Sequence, residues 1–389
     1  MQSDRVYLDH AATTTLLPEA LEAWVAASAS VGNPSSLHTS GRAARRLVEE
    51  ARESIADDLG VRPSEVIFTS GGTEADNLAV KGLAWASPER PRILCSSVEH
   101  HAVLDPVAWL GEQGRDITWL PVDARGRVDV DVLREQLGDD VALCTVMWAN
   151  NEVGTIQPIA EIAEACHQAG VPFHTDAVQA IGQVPVDAGL LGLTSLALSG
   201  HKLGAPVGTG ALILRRDARI VPHMHGGGQE REVRSGTFDA PGIAALAVAV
   251  RRSVADQAKH AYHLAALRGS LFDGIRRVAP DAVVNGDPVE RLPANVHVSF
   301  PGCEGDTLLM LLDAAGVECS TGSACTAGVP EPSHVLEAMG VEAGLARGSL
   351  RFSLGRTSSE ADVERVIAAL PAVLERAQRA ATPRLRRAH

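Results

Sequence analysis

Short β-type runs alternate with helix-length amphipathic stretches through the first half of this chain, and no other feature limits its fold as strongly. β-type runs fall at 66–69, 92–98, 117–122, 141–149, 172–176, 195–199 and 211–215, with helical spacing at 40–60, 73–85, 101–110, 129–137 and 158–169. In the stretch 40–60, Leu47, Ala51, Ile55 and Leu59 share one face and Gly60 supplies a terminator. Parallel strands need crossover connections of this length, and their sheet is then covered on both faces. The run 141–149 is apolar almost throughout, as a strand buried on both sides requires. Beyond 241 the pattern changes. A long helix is expected at 241–260, then helices near 262–278, 305–315 and 334–339, strands at 295–300, 317–320 and 349–354, and a last helix from Glu360. The expected fold class is α/β: a large unit with a mostly parallel, seven-stranded-type sheet flanked by helices, followed by a smaller α+β unit.

Charge and cysteine usage remove several classes of function. With 35 Lys and Arg against 48 Asp and Glu in 389 residues, the formal net charge is −13, the wrong sign for a general nucleic-acid binder. No apolar run approaches the roughly 20 residues that a membrane span needs. Residues 1–8 have neither a basic start nor an apolar core, so no signal peptide is expected and a cytoplasmic protein is. The six cysteines form no C-x-x-C pair, and disulfides are not expected in that compartment. Cys144 lies in the apolar run 141–149, and Cys95 and Cys166 lie in regular segments. Cys319 and Cys325 differ: they bracket the small-residue stretch Ser320-Thr-Gly-Ser-Ala324. One basic exception, the stretch 376–387 with five Arg and no acid, reads as a solvated tail or as a dock for an acidic partner.

Three short motifs carry chemistry. Ser70-Gly-Gly-Thr-Glu74 follows a strand and opens a helix. Its small residues allow close backbone approach, and a helix N-terminus suits a phosphate; the same residues also make an ordinary capped turn. His174-Thr-Asp-Ala-Val-Gln179 places Asp176 at the carboxyl end of a buried strand, where ligands of open α/β sheets bind. That carboxylate reads as the partner of a cation, as a helix cap, or with His174 as half of a metal site. Ser199-Gly-His-Lys202 sets a lysine in a crowded turn after another strand, and a desolvated lysine forms Schiff bases, although a lone lysine there is ordinarily a surface residue. A phosphate cradle, a carboxylate and a lysine are together what pyridoxal 5′-phosphate requires. A metal-binding alternative built on Glu99, His100, His101, Asp105, His174 and Asp176 matches no ligand-spacing template.

At this point the chain resembles the cysteine desulfurases of the NifS/IscS type, in the class V aminotransferase branch of fold-type I pyridoxal phosphate enzymes. The resemblance runs from Tyr7 to about Pro371. It rests on Tyr7-Leu-Asp-His-Ala-Ala-Thr-Thr14, Gly32-Asn-Pro-Ser-Ser36, Phe68-Thr-Ser-Gly-Gly-Thr-Glu74, Glu99-His100, Asn150-Asn-Glu-Val-Gly154, His174–Gln179 and Ser199–Lys202. Further along it rests on Gly226-Gly-Gly-Gln-Glu230, Arg234-Ser-Gly-Thr237, Gly322-Ser-Ala-Cys325 and Arg351-Phe-Ser-Leu-Gly-Arg356. His10 stands where Asn is usual, Gly72 where Ala is frequent, and 203–208 reads Leu-Gly-Ala-Pro-Val-Gly. The form around Cys325 resembles the long-loop subgroup.

The resemblance implies a role for each matched position. Lys202 is the Schiff-base lysine, Asp176 the partner of the pyridinium nitrogen, and Gln179 the partner of the ring hydroxyl. His100 stacks on the ring and moves protons. Gly72, Thr73, Ser199 and His201 hold the phosphate, with Thr237 from a neighbouring subunit of a homodimer. Asn151 and Arg351 bind the substrate carboxylate. Cys325 receives sulfur from L-cysteine, leaving L-alanine; no metal is required, and Cys325 is a candidate cluster ligand during transfer. The implied division is a large pyridoxal phosphate-binding domain, 16–258, and a small domain formed by 1–15 with 259–389. The implied acceptors are sulfur-accepting proteins such as an iron–sulfur scaffold or a tRNA-thiolation protein, with no nucleic acid and no membrane as direct partners. A selenocysteine lyase or another class V transferase is the alternative, though a plain aminotransferase has no need of Cys325.

Overall fold

The computed structural model describes residues 5–322 and 333–385; Cys325 lies outside the described residues. The first strand is β1 (Val6–Tyr7). Then come β2 (Val66–Thr69), β3 (Arg92–Ser96), β4 (Asp116–Leu120), β5 (Val141–Thr145), β6 (Phe173–Asp176), β7 (Ser195–Ser199) and β8 (Gly210–Leu214), which form one seven-stranded sheet in the order β2-β8-β7-β6-β5-β3-β4. The last four are β9 (Val283–Val284), β10 (Asn295–Ser299), β11 (Val317–Glu318) and β12 (Ser349–Ser353).

The large sheet is parallel except at β8, which runs antiparallel to both β7 and β2. The link between β7 and β8 explains the exception. It holds only a one-turn helix, Gly200–Leu203, too short for the crossover that a parallel neighbour needs. Because β2 is antiparallel to β8, it ends at the same edge of the sheet as β6 and β7. Thr69 and Ser199 both pair with Gly210. The turn after β2 crosses directly over that glycine: a side chain there would meet the Gly71 Cα at 2.6 Å and the Leu198 carbonyl at 2.7 Å. Only glycine permits this approach, and it brings the N-terminus of the helix Gly72–Ala86 beside Ser199.

Strands β5 to β8 are buried along their whole length, which is why their sequences read as continuous apolar runs. One core runs from Leu17 to Val250 through Leu198, Leu246 and Ile162. Another joins Val6 and Leu8 to Leu264, Leu271, Phe300, Phe352 and Val366. The two helices expected at 241–260 and 262–278 are Ala240–Ala255 and Gln257–Val278, with their junction at Asp256 instead of after His260. The first buries Leu246 and Val250 in one core, and the second buries Leu264, Leu267 and Leu271 in the other. The two helices meet at Asp256, which pairs with Arg252 at 3.1 Å. A helix that sequence reading missed, Pro18–Ser28, buries only Ala20 and exposes Trp24 and Val25, so it has no apolar stripe to find.

In the second core, β9, β10 and β12 form an antiparallel sheet, and β1 pairs parallel with β11. Asp9 bridges to Ser353, and Ser320 to Arg351. Arg376 and Arg379 of the basic run lie exposed on the last helix, Glu360–Leu385, where Arg379 pairs with Glu375. No helix among the described residues is long and apolar enough to cross a membrane.

A buried ion pair fastens the segment at 226–237 to the large sheet. Arg52 donates to both oxygens of Glu230, at 2.9 and 2.8 Å, and to the Val66 carbonyl at 2.6 Å. Their side chains are 9% and 1% exposed. Removing Glu230 leaves the buried Arg52 with only Glu49, 45% exposed and 3.1 Å from its Nε, as a charged partner, and a buried charge so poorly compensated is costly. Glu230→Ala is therefore expected to lower unfolding stability by about 3–5 kcal/mol in denaturant titration.

Candidate functional site

A cavity of about 520 Å³ opens where the carboxyl ends of β2, β6 and β7 meet the second core. It is lined by Gly72, Thr73, His100, Asn151, Asp176, Gln179, Ser199, His201, Lys202 and Arg351. These are all the expected site residues except two. Thr237 is exposed and not part of this wall; Cys325 lies outside the described residues, although Ser320 and Gly322 just before it line the cavity.

The lysine is held by backbone. Lys202 Nζ donates to the carbonyls of Ala11 and Ala12, the latter at 2.6 Å. Burial and the neighbouring Arg351 lower its ammonium to about 8, against the pull of Asp176 and Asp9. The amine is thus available as a nucleophile and base near neutrality, which an ordinary lysine is not. Gln179 Nε2 donates to the same Ala11 carbonyl at 3.0 Å. His201 Nδ1 lies 3.2 Å from Thr13 Oγ1, and burial followed by Lys202 drives its imidazolium down to about 4.

Asp176 ends β6 and is buried. Burial and the nearby Asp76 push it up to about 7, while His100 and the Val178 N–H, which donates to Oδ1 at 2.8 Å, pull it down. Behind it runs a buried chain in which Asp76 Oδ1 lies 3.2 Å from His174 Nε2, and His174 Nδ1 lies 2.9 Å from Ser195 Oγ. Desolvation holds His174 neutral, at about 4. His174 is therefore a support beneath the site and not a ligand. Among the described residues no group of three or more His, Cys, Asp and Glu side chains converges to hold a metal ion.

His100 caps the helix His101–Glu112, its Nδ1 accepting from the Ala102 N–H at 3.1 Å. The ring is open to the cavity, but protein crowds the rest of it. This desolvation lowers its imidazolium, opposed by Asp176. Arg351 on β12 reaches in from the second core. Its Nη1 donates to the Asn151 carbonyl at 3.0 Å and its Nη2 to Asp9 Oδ1 at 2.8 Å.

Sequence reasoning gave no role to four groups placed here: Asp9, the Ala11 and Ala12 carbonyls, and Glu152. All three sit in the motif Tyr7–Thr14, in which the two alanines form part of the cavity wall and Asp9 stands behind it on Arg351. Glu152 is buried and accepts from Ser333 Oγ. It also approaches Gly322, where φ is +90° and a side chain would come within 3.1 Å of His297 Nε2 and 3.5 Å of Glu152 Oε2. Gly322 and Ser333 thus both lie against this one carboxylate. The five cysteines described are all buried, and burial pushes the Cys319 thiol up to about 12.

The donor set suits a phosphorylated pyridine aldehyde. An amine of lowered basicity meets a carbonyl carbon, and a buried carboxylate meets a ring N–H. At the other end the Gly71 and Gly72 turn opens a helix N-terminus beside Ser199; a side chain on Gly72 would press on Val178 at 3.0 Å and Ser199 at 3.4 Å.

Comparison with known proteins places the chain in a family. The aminotransferase class-V family model matches residues 6–366. An IscS-like cysteine desulfurase of Mycobacterium tuberculosis is 58% identical over 384 residues, covering 96% of this chain and 98% of the relative. The cysteine desulfurase NifS of Azotobacter vinelandii is 44% identical, covering 95% of this chain and 92% of the relative. A solved NifS-like protein superposes with a TM-score of 0.89 at 36% identity, covering 95% of this chain and 99% of that one. With likeness of this extent across nearly the whole sequence, the chain belongs to the class V aminotransferase family, among its cysteine desulfurases of the IscS/NifS type.

Proposed function

We propose that this protein is a cytoplasmic cysteine desulfurase, which takes sulfur from L-cysteine, releases L-alanine and carries the sulfur as a persulfide on Cys325. The observation that carries the reading is the meeting of Lys202, Asp176, His100 and Arg351 in one cavity, with Ser320 and Gly322, which precede Cys325 in sequence, in its wall. A selenocysteine lyase or other class V transferase has the weaker support, because the relatives quoted carry desulfurase names.

Pyridoxal 5′-phosphate, held by Lys202, Asp176, Gln179, Gly72, Thr73, Ser199 and His201, supplies an electron sink for the substrate's Cα. The protein's own groups do the rest. Arg351 and Asn151 take the substrate carboxylate and so set the direction of the Cα–H bond. The Lys202 amine accepts that proton. The Cys325 thiolate attacks the substrate Sγ, so that an S–S bond forms as the Cβ–S bond breaks. The three-carbon fragment takes protons from Lys202 and His100 and leaves as L-alanine. L-cysteine and a thiol become L-alanine and a persulfide, with no external oxidant or reductant. The sulfur then passes to an acceptor such as an iron–sulfur scaffold or a tRNA-thiolation protein. The same reading divides the chain into a cofactor-holding domain, 16–258, and a small domain of 1–15 with 259–389. It also makes the protein a homodimer in which Thr237 completes the phosphate site of the partner.

Purified protein given L-cysteine and a small thiol reductant is expected to release L-alanine and sulfide in equal amounts; a protein that produces neither is not a desulfurase. Cys325→Ala should lower alanine release at least about 100-fold while L-cysteine still binds, and Cys319→Ala should stay within about threefold of wild type because its buried thiol is not a nucleophile. In the cofactor-free protein, borohydride-fixed capture of pyridoxal phosphate on Lys202 should speed up as pH rises through about 8, where the amine loses its proton, rather than near the ordinary lysine value of about 10.4. Thr237→Ala should weaken cofactor retention in a dimer measured by sedimentation, and an active monomer would remove the shared-site reading.

A further inference from the structure

Asp9 has no part in the reading above, yet it grips the residue on which substrate orientation depends. Arg351 Nη2 donates to Asp9 Oδ1 at 2.8 Å, and Nη1 to the Asn151 carbonyl at 3.0 Å. The Arg351 side chain is 5% exposed, and its Nε is buried without a partner in the protein. A guanidinium carries five N–H donors in one plane. Pinned at both outer nitrogens, it cannot swing about its stem, so its remaining donors keep one direction. Asp9 is itself fixed, by its bridge to Ser353 and by Tyr7 Oη, which donates to the Asp9 carbonyl at 3.1 Å. Its charge also bears on the site: Arg351 depresses the basicity of Lys202 and Asp9 opposes that.

We propose that Asp9 is a positioning residue for the substrate carboxylate: with the Asn151 carbonyl it holds the Arg351 guanidinium in a fixed plane, leaving the free Nη protons to receive the carboxylate of L-cysteine in one orientation. The inference rests on the desulfurase reading. Loss of the Asp9 charge has two opposite effects. The guanidinium charge is no longer shared, which favours carboxylate binding. Its orientation is lost, which slows proton removal at Cα, since a misplacement of about 1 Å can cost about 100-fold in rate. Affinity and turnover therefore separate, as they do not when a variant merely folds less well.

The test compares wild type, Asp9→Asn and Asp9→Glu, with rates expressed per bound cofactor. A second readout is the affinity for 3-mercaptopropionate, a carboxylate without the amine, by calorimetry. Asp9→Asn is expected to lose at least about tenfold in kcat, with KM for L-cysteine and the dissociation constant of 3-mercaptopropionate unchanged or lower. Asp9→Glu keeps the charge one methylene out of place and should show the same split with a smaller loss, at least about threefold in kcat; it decides the matter if Asp9→Asn does not fold. Wild-type kcat in the variants, or any rise in KM or in the dissociation constant, overturns the proposal. Failure of wild type to form L-alanine would instead overturn the desulfurase reading, and the two failures are distinct.

Discussion

The cavity exists because one short strap of backbone, residues 9–15, is shared between two cores. Its carbonyls at Ala11 and Ala12 hold Lys202 from the large sheet, and Ala11 also holds Gln179. On the other side Asp9 holds Arg351 of β12, and Arg356 Nη2 donates to the Thr15 carbonyl at 2.8 Å. The strap is anchored by the segment before it, where Val6 of β1 and the following Leu8 are sunk in the second core. Hydrogen bonds of this kind are individually modest. Here they fix the distance between a lysine on one side and an arginine on the other, so reactive groups from distant parts of the chain share one frame.

Desolvation sets the character of four titratable groups in that frame. It lowers Lys202, His100 and His201 and raises Asp176. All four shifts run toward the neutral form, as burial dictates. A site of neutral groups crowded together is poised to take up a charged, phosphorylated molecule, because each group regains its charge only against a partner of opposite sign. The perturbed groups cluster where the chemistry is expected, and the deeper pair Asp76 and His174 extends the effect beneath Asp176.

Much of this was legible in the sequence. Apolar runs such as 141–145 and 195–199 announce strands covered on both faces, and Asp176 and Lys202 stand at the ends of two of them. What escaped reading was set by tertiary context. The antiparallel β8 follows from a short connection, not from its own residues. The junction expected after His260 falls at Asp256, because the two helices bury their faces in different cores. Pro18–Ser28 has only Ala20 buried and hence no period to detect. Asp9 was visible only as one letter of a motif, since its partner Arg351 lies 342 positions away in sequence.

The burial of the cysteines has a consequence for the traffic of sulfur. Sulfane sulfur moves between thiols by exchange, and the rate depends on access and on the thiolate fraction of the receiving group. Cys95, Cys144, Cys166, Cys303 and Cys319 are all enclosed, and Cys319, six positions before Cys325 in sequence, keeps its proton up to about pH 12. A persulfide formed on Cys325 therefore meets no competing thiol among the described residues of its own chain. If Cys325 carries the sulfur as proposed, the enclosed thiols do not draw it inward, and it is left for exchange with thiols outside the chain.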